Sequence, residues 1–145
     1  MLRAFHGALR RLARLPQATV AAIDGVALGG GLELANLCDI VVASQRSRLG
    51  YPEIQLACFP PVAMVALPAI TGRALGSDLV LTGEIIGAER AKSLGLASRV
   101  FKDEDFDNSL QALVTGLSYS RLRESYQSAT EPSSCWRRGF SQAPS

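Results

Sequence analysis

Histidine is almost missing from this chain, and that closes off a large part of enzyme chemistry. His6 is the only one in 145 residues, so Ser-His or Cys-His nucleophilic catalysis would have to rest on it. On an amphipathic segment such a residue reads as a surface or satisfied side chain. Cysteine is scarce as well. Cys38, Cys58 and Cys135 are odd in number and far apart, with no CxxC pair and no neighbouring histidine. That argues against a zinc site or any other metal centre and fits reduced, structural thiols. Charge is low: 19% of residues are charged and the net charge is +2, so the dense basic face that phosphate neutralisation demands is lacking and a nucleic-acid partner is not expected. No apolar run reaches the roughly 20 residues needed to span a bilayer, and no signal-peptide core is present. These absences lead to the expectation of a soluble, cytoplasmic protein without a membrane partner.

What remains is apolar. Hydrophobic residues make up 48% of the chain, enough for the core of one domain at this length. Met1–Leu15 carries Arg3, Arg10, Arg11 and Arg14 and no acid, as a transit peptide would. Its Leu2, Phe5, Leu9, Leu12 and Leu15 nevertheless fall at helical spacing, so it reads as an amphipathic helix of the domain, ended by Pro16. Thr19–Ile23 and Asp39–Ala43 read as buried strands. Gln45–Arg48 is a polar loop, Pro60-Pro61 is a break, and Val62–Ile70 is an apolar run that Pro68 should interrupt. Ala74–Leu81, with Leu75 and Leu79 on one face, and Ala88–Leu94, closed by Gly95, have helical composition; Ala97–Phe101 suits a strand. Phe106, Leu110, Leu113, Val114 and Leu117 give Glu104–Leu117 the pattern of an amphipathic helix. From Ser118 to Ser145 the chain is rich in Ser and Arg and loses its apolar period, which predicts a disordered or poorly docked tail in which only Trp136 and Phe140 would pack. The boundaries are thus a core over 1–117 and an atypical tail over 118–145. Alternating short strands and helices make this an α/β chain with a buried sheet.

The chemistry concentrates between Pro16 and Glu53. Val26-Ala27-Leu28 leads into Gly29, Gly30 and Gly31, and Leu32–Leu37 follows with helical composition and Glu33 in its first turn. A glycine run at a helix N-terminus leaves backbone N–H groups bare, able to hold an anion or a carbonyl oxygen that turns negative during reaction. The same glycines also suit a plain tight turn. No Lys-Ser/Thr follows, so the turn is not a phosphate P-loop. The spacing fits GxGxxG poorly, so a dinucleotide cofactor has little support. Glu53 stands behind Pro52 in apolar surroundings. Like Glu33, it carries a charge that is costly there unless used or paired.

The run Ala21-Ala22-Ile23-Asp24-Gly25-Val26-Ala27-Leu28-Gly29-Gly30-Gly31-Leu32-Glu33-Leu34, then Cys38-Asp39-Ile40, then Gly50-Tyr51-Pro52-Glu53, resembles the signature of the enoyl-CoA hydratase/isomerase, or crotonase, family. Leu81 to Phe101 resembles that family's segment beyond the active site. The resemblance spans about Leu2 to Leu117 and implies a spiral of β-β-α repeats, here incomplete at the N-terminus. It implies an acyl-CoA substrate, no cofactor beyond the coenzyme A of that substrate, and homo-oligomers built as trimers or hexamers. It makes Gly30 a backbone donor of an oxyanion hole and Glu33 and Glu53 the pair that handles water and proton, with Gly29, Gly31, Tyr51, Pro52, Phe59 and Pro60 as substrate-binding positions. The chemistry agrees: hydrating an enoyl thioester needs a base for water at the β-carbon, an acid for the α-carbon and donors for the enolate oxygen. Two other functions fit the resemblance, a double-bond isomerase and a catalytically silent interaction subunit. Three departures from the family pattern sharpen the expectations, one being that the tail from Ser118 does not resemble that family's C-terminal helices. The opening strands and the loop with the second oxyanion donor are expected to lie outside this chain. Phe59-Pro60-Pro61-Val62-Ala63 resembles the branch that includes cyclohexa-1,5-diene-1-carbonyl-CoA hydratase, which implies a stiffer, more apolar acyl pocket.

Overall fold

A computed structural model describes residues 2–15, 17–58 and 60–119, with side chains for 7–15, 17–58 and 60–117. The chain runs α1 (Leu2–Ala13), β1 (Val20–Ile23), β2 (Val26–Leu28), α2 (Gly30–Asn36), β3 (Ile40–Ser44), β4 (Arg48–Gly50), α3 (Pro61–Thr71), α4 (Arg73–Thr82), β5 (Ile85–Gly87), α5 (Ala88–Ser93), β6 (Arg99–Phe101) and α6 (Phe106–Tyr119). Short 3-10 turns fill Pro52–Leu56 and Asp103–Asp105.

Strands β1 to β4 alternate between two sheets, and β5 stays in the sheet of β4. β1, β3 and β6 form one parallel sheet in the order β1-β3-β6, while β2, β4 and β5 form a second in the order β2-β4-β5. The two β-β-helix units β1-β2-α2 and β3-β4-α3 therefore each place one strand in both sheets, as in the expected α/β spiral, and β5 and β6, on either side of α5, add one more strand to each. Register is set at its start by a side-chain clamp. Asp39 Oδ2 accepts from the Thr19 backbone N–H (2.9 Å) and the Thr19 hydroxyl (2.8 Å), and Val20 then faces Ile40 and Ile23 faces Ala43. At the far end Ser47 Oγ donates to Ile23 O at 2.8 Å and joins Ser44 Oγ at 2.9 Å. Both serines are wholly buried, and this pairing satisfies them where water cannot reach.

The core lies between the sheets and helices: Ile23, Leu32, Val41, Leu49, Tyr51, Leu67, Leu79, Ile86 and Leu96 belong to one buried cluster. A smaller cluster of Leu9, Leu37 and Val62 docks α1 on the end of α2 and the start of α3. Two helix expectations need correction, and one strand is added. Pro68 does not interrupt the apolar run: α3 continues through it to Thr71. A proline there lacks the N–H that would bond Met64 O, and because Met64 and Pro68 both face outward that carbonyl can turn to water. Leu75 is exposed while Leu79 is buried, so the two do not share a buried face. Ile85–Gly87, too short to show a period, is a strand paired antiparallel with β4. The expected tail begins two residues too early, since α6 runs through Ser118 to Tyr119; the rest of it, with Cys135, Trp136 and Phe140, lies outside the described residues, as does Phe59. No helix among the described residues is long and apolar enough to cross a membrane.

Candidate active site

The glycine turn and the Tyr51-Pro52-Glu53 corner meet because β2 and β4 are parallel neighbours, with Leu28 opposite Gly50. Where those strands end, Gly29 N–H donates to Gly50 O at 2.9 Å. Gly29 has φ +53° and ψ −126°, a combination that side-chain-bearing residues rarely adopt. Glu53 fills the space that a side chain on Gly29 would take. A Cβ built there would lie 2.8 Å from Glu53 Cδ.

Helix α2 starts on this glycine. Glu33 N–H is accepted by Gly29 O at 2.9 Å, and helix geometry leaves the N–H groups of Gly30, Gly31 and Leu32 without an acceptor inside the helix. The Glu33 side chain, only 4% exposed, crosses to the first turn of α3. There its Oε1 accepts from the backbone N–H of Val62 (2.8 Å) and of Ala63 (3.0 Å). Two orphan donors and the positive end of a helix thus hold one carboxylate oxygen in place. Pro60 precedes this turn as a buried N-cap and Pro61 occupies the first helical position, where a missing N–H costs nothing.

Glu53 is held differently. Its Oε2 is buried and has no hydrogen-bond partner, a costly state for a carboxylate oxygen. Its backbone is fixed on both sides. Pro52 opens the 3-10 turn, and Ala57, with φ +55° the single described non-glycine residue at positive φ, closes it as Cys58 N–H returns to Glu53 O at 3.1 Å.

Behind the two carboxylates stands Tyr51, with no exposed surface. Asn36 Nδ2 donates to its hydroxyl oxygen at 2.5 Å. Burial first, then the nearby charge of Glu33 and that of Glu53, push the phenol well above its ordinary range, with the Asn36 bond working in the opposite direction. Both carboxylates therefore lie within electrostatic reach of one phenol. The position of Tyr51 does not meet the expectation of a substrate contact, because its side chain is enclosed by the core. Glu33, Glu53, Gly29, Gly30, Gly31, Pro52 and Pro60 are gathered at the starts of α2 and α3 and the corner after β4. Asn36 was not anticipated. Its signal was an amide three residues after Glu33, inside the otherwise apolar Leu34–Leu37 run. Among the described residues no group of three or more His, Cys, Asp or Glu is placed to hold a metal ion.

Comparison with known proteins gives this arrangement a family. The profile of the Enoyl-CoA hydratase/isomerase family matches residues 3–133. A protein named "Probable enoyl-CoA hydratase echA8" from Mycobacterium tuberculosis is 37% identical over 115 residues, covering 79% of this chain and 45% of that protein. Mitochondrial methylglutaconyl-CoA hydratase of Rattus norvegicus is 44% identical over 92 residues, 63% of this chain and 29% of the relative. Among solved structures, an enoyl-CoA hydratase from Bacillus anthracis superposes with a TM-score of 0.83 at 28% identity, over 89% of this chain and 52% of that one. The chain thus spans less than half the length of these curated relatives. It belongs to the enoyl-CoA hydratase/isomerase family.

Proposed function

We propose that this chain carries the acid/base centre of an enoyl-CoA hydratase-type lyase, with Glu33 and Glu53 as the proton-handling pair and Gly30 N–H as a donor to the thioester oxygen. The observation that carries this reading is the buried, unpartnered Oε2 of Glu53, set against Gly29 at the start of α2. A water molecule supplies what that oxygen lacks. In the forward direction one carboxylate takes a proton from water as its oxygen bonds to the β-carbon. The π electrons move to the thioester oxygen, where backbone N–H groups stabilise the charge. The enolate then collapses as the α-carbon takes a proton from the other carboxyl group. Glu33, fixed through one oxygen by the α3 turn, suits an oriented role, and Glu53 has the free oxygen that a mobile water would occupy.

The named relatives, enoyl-CoA and methylglutaconyl-CoA hydratases, support an acyl-CoA substrate. The rigid Pro60-Pro61 turn beside Glu33 supports a compact acyl group such as a cyclic dienoyl. The reaction needs no cofactor besides the coenzyme A of the substrate, and a water-soluble thioester suits a cytoplasmic setting. Exposed Val26, Leu56, Met64, Val65 and Leu81 support a homo-oligomer, trimeric or hexameric, that covers them. The decisive assay follows loss of the conjugated thioester absorbance of an enoyl-CoA with parent, Glu33→Gln and Glu53→Gln. Hydration by the parent and its loss in both variants is the expected result; equal rates in all three would refute the assignment. Conversion of a 3-enoyl-CoA to the 2-enoyl isomer without hydration would favour the isomerase. No turnover at all, together with binding to a full-length homologue, would favour an interaction subunit.

A further inference from the structure

We infer that the buried Asn36–Tyr51 hydrogen bond is the brace that sets the spacing of the two carboxylates, which makes Asn36 and Tyr51 positioning residues. The inference rests on the reading of Glu33 and Glu53 as the working pair. Its basis is where the two partners sit. Asn36 is three residues after Glu33 on α2, and in a helix such residues share a face. Tyr51 is two residues before Glu53, at the corner that follows β4. The Asn36 Nδ2 to Tyr51 hydroxyl contact of 2.5 Å therefore ties the helix carrying one carboxylate to the turn carrying the other. Tyr51 is completely buried and Asn36 is 6% exposed, so water does not compete for the bond.

Asn36 also bears a cost that an apolar residue would avoid. Its Oδ1 is buried without a partner and loses the solvation that water would give it. Rotating the amide would exchange which atom goes unpaired without removing the cost. On its other side the residue borders a half-open cavity of about 200 Å³ with Cys38, Asp39, Ala69, Ile70 and Leu96. A polar group kept at such a site is accounted for by the bond it makes to Tyr51. The hydroxyl of Tyr51 has a matching effect. With Asn36 donating to its oxygen, the hydroxyl is held in place behind Glu33 and Glu53, whose charges act on it.

The test uses the full chain with Tyr51→Phe, which removes one oxygen and keeps the ring, Asn36→Leu, and the double variant. Each single variant should lower kcat by about 10- to 100-fold with KM within about twofold, as a misplacement of catalytic groups does. The double variant should be no slower than the slower single, because one bond is lost once. Independently of turnover, glutamate labelled with ¹³C at the side-chain carboxyl, with resonances assigned through Glu33→Gln and Glu53→Gln, should show carboxyl chemical shifts of Glu33 and Glu53 that move, at one fixed pH, in both single variants. Unchanged rates and carboxyl chemical shifts in Tyr51→Phe, or additive losses in the double variant, would overturn the brace. A parent chain without hydratase activity would instead refute the proposed function, and the carboxyl chemical shifts alone would then decide the brace.

Discussion

Replacing Gly29 by alanine tests the geometry that joins fold to chemistry, because one methyl group perturbs both at once. The backbone there, at φ +53° and ψ −126°, lies in a region that costs a residue with a Cβ on the order of 1–3 kcal/mol. The added carbon would sit 2.8 Å from Glu53 Cδ, whereas unstrained carbons approach to about 3.5–4.0 Å. Either the glycine turn opens, breaking the Gly29–Gly50 bond, or the Glu53 carboxylate retreats by about 1 Å. A displacement of that size in a reacting group costs about 100-fold in rate. Gly29→Ala should therefore lose about 1–3 kcal/mol in urea unfolding and about two orders of magnitude in enoyl-CoA hydration. Gly31→Ala calibrates the measurement. A Cβ at Gly31 meets nothing within 4 Å, and alanine is favoured over glycine within a helix by up to about 1 kcal/mol, so its stability should hold or rise. Parent-like stability and rate in Gly29→Ala would show that Glu53 does not rest on this glycine and would undo the site as described.

Glu33→Ala, which leaves Val62 and Ala63 N–H without their side-chain acceptor, should cost about 1–3 kcal/mol in chemical denaturation, and Glu33→Gln, which keeps an amide oxygen, should cost clearly less. Raising pH should destabilise the protein through Tyr51. Its phenol is held above the ordinary value of 10.0 in the folded chain, so the contribution is intact below about pH 10. Above that the unfolded chain sheds the proton while the folded one retains it, and stability should fall by about 1.4 kcal/mol per pH unit. Tyr51→Phe should remove that slope, and an alkaline limb unchanged by it would contradict the burial argument. Gly50→Ala, whose Cβ would lie 2.6 Å from Glu84 O and 3.1 Å from Ile85 Cα, should overpack the β4–β5 ladder and cost about 1–3 kcal/mol in thermal or urea unfolding. Asp24→Asn should leave the urea midpoint close to the parent's, since the Asp24–Arg46 pair is solvent-exposed and such pairs contribute little.

Local chemistry fixed much of this protein in advance. The apolar runs around Val20–Ile23 and Ile40–Ser44, the helical period of Phe106–Leu117 and the glycines before Glu33 each act over a few residues, so the strands, the long helix and the α2 start could be read from spacing alone. The two carboxylates stood out for the same reason, as charges in apolar company. Long-range packing decided the rest. Pro68 should end a helix by local rules, yet the contact of Ala63, Ala66 and Leu67 with the core keeps α3 intact around it. Ile85–Gly87 has too few residues to show a period and becomes a strand because β4 offers it a partner. That Glu33 reaches the N–H groups of Val62 and Ala63, twenty-nine and thirty residues away, follows from the way α2 and α3 meet and from no pattern in either. Tyr51 shows the division most clearly. Its place beside Pro52-Glu53 was visible in sequence, but its burial behind both carboxylates and its bond to Asn36 arise only when parallel pairing of β2 with β4 lays the corner against α2.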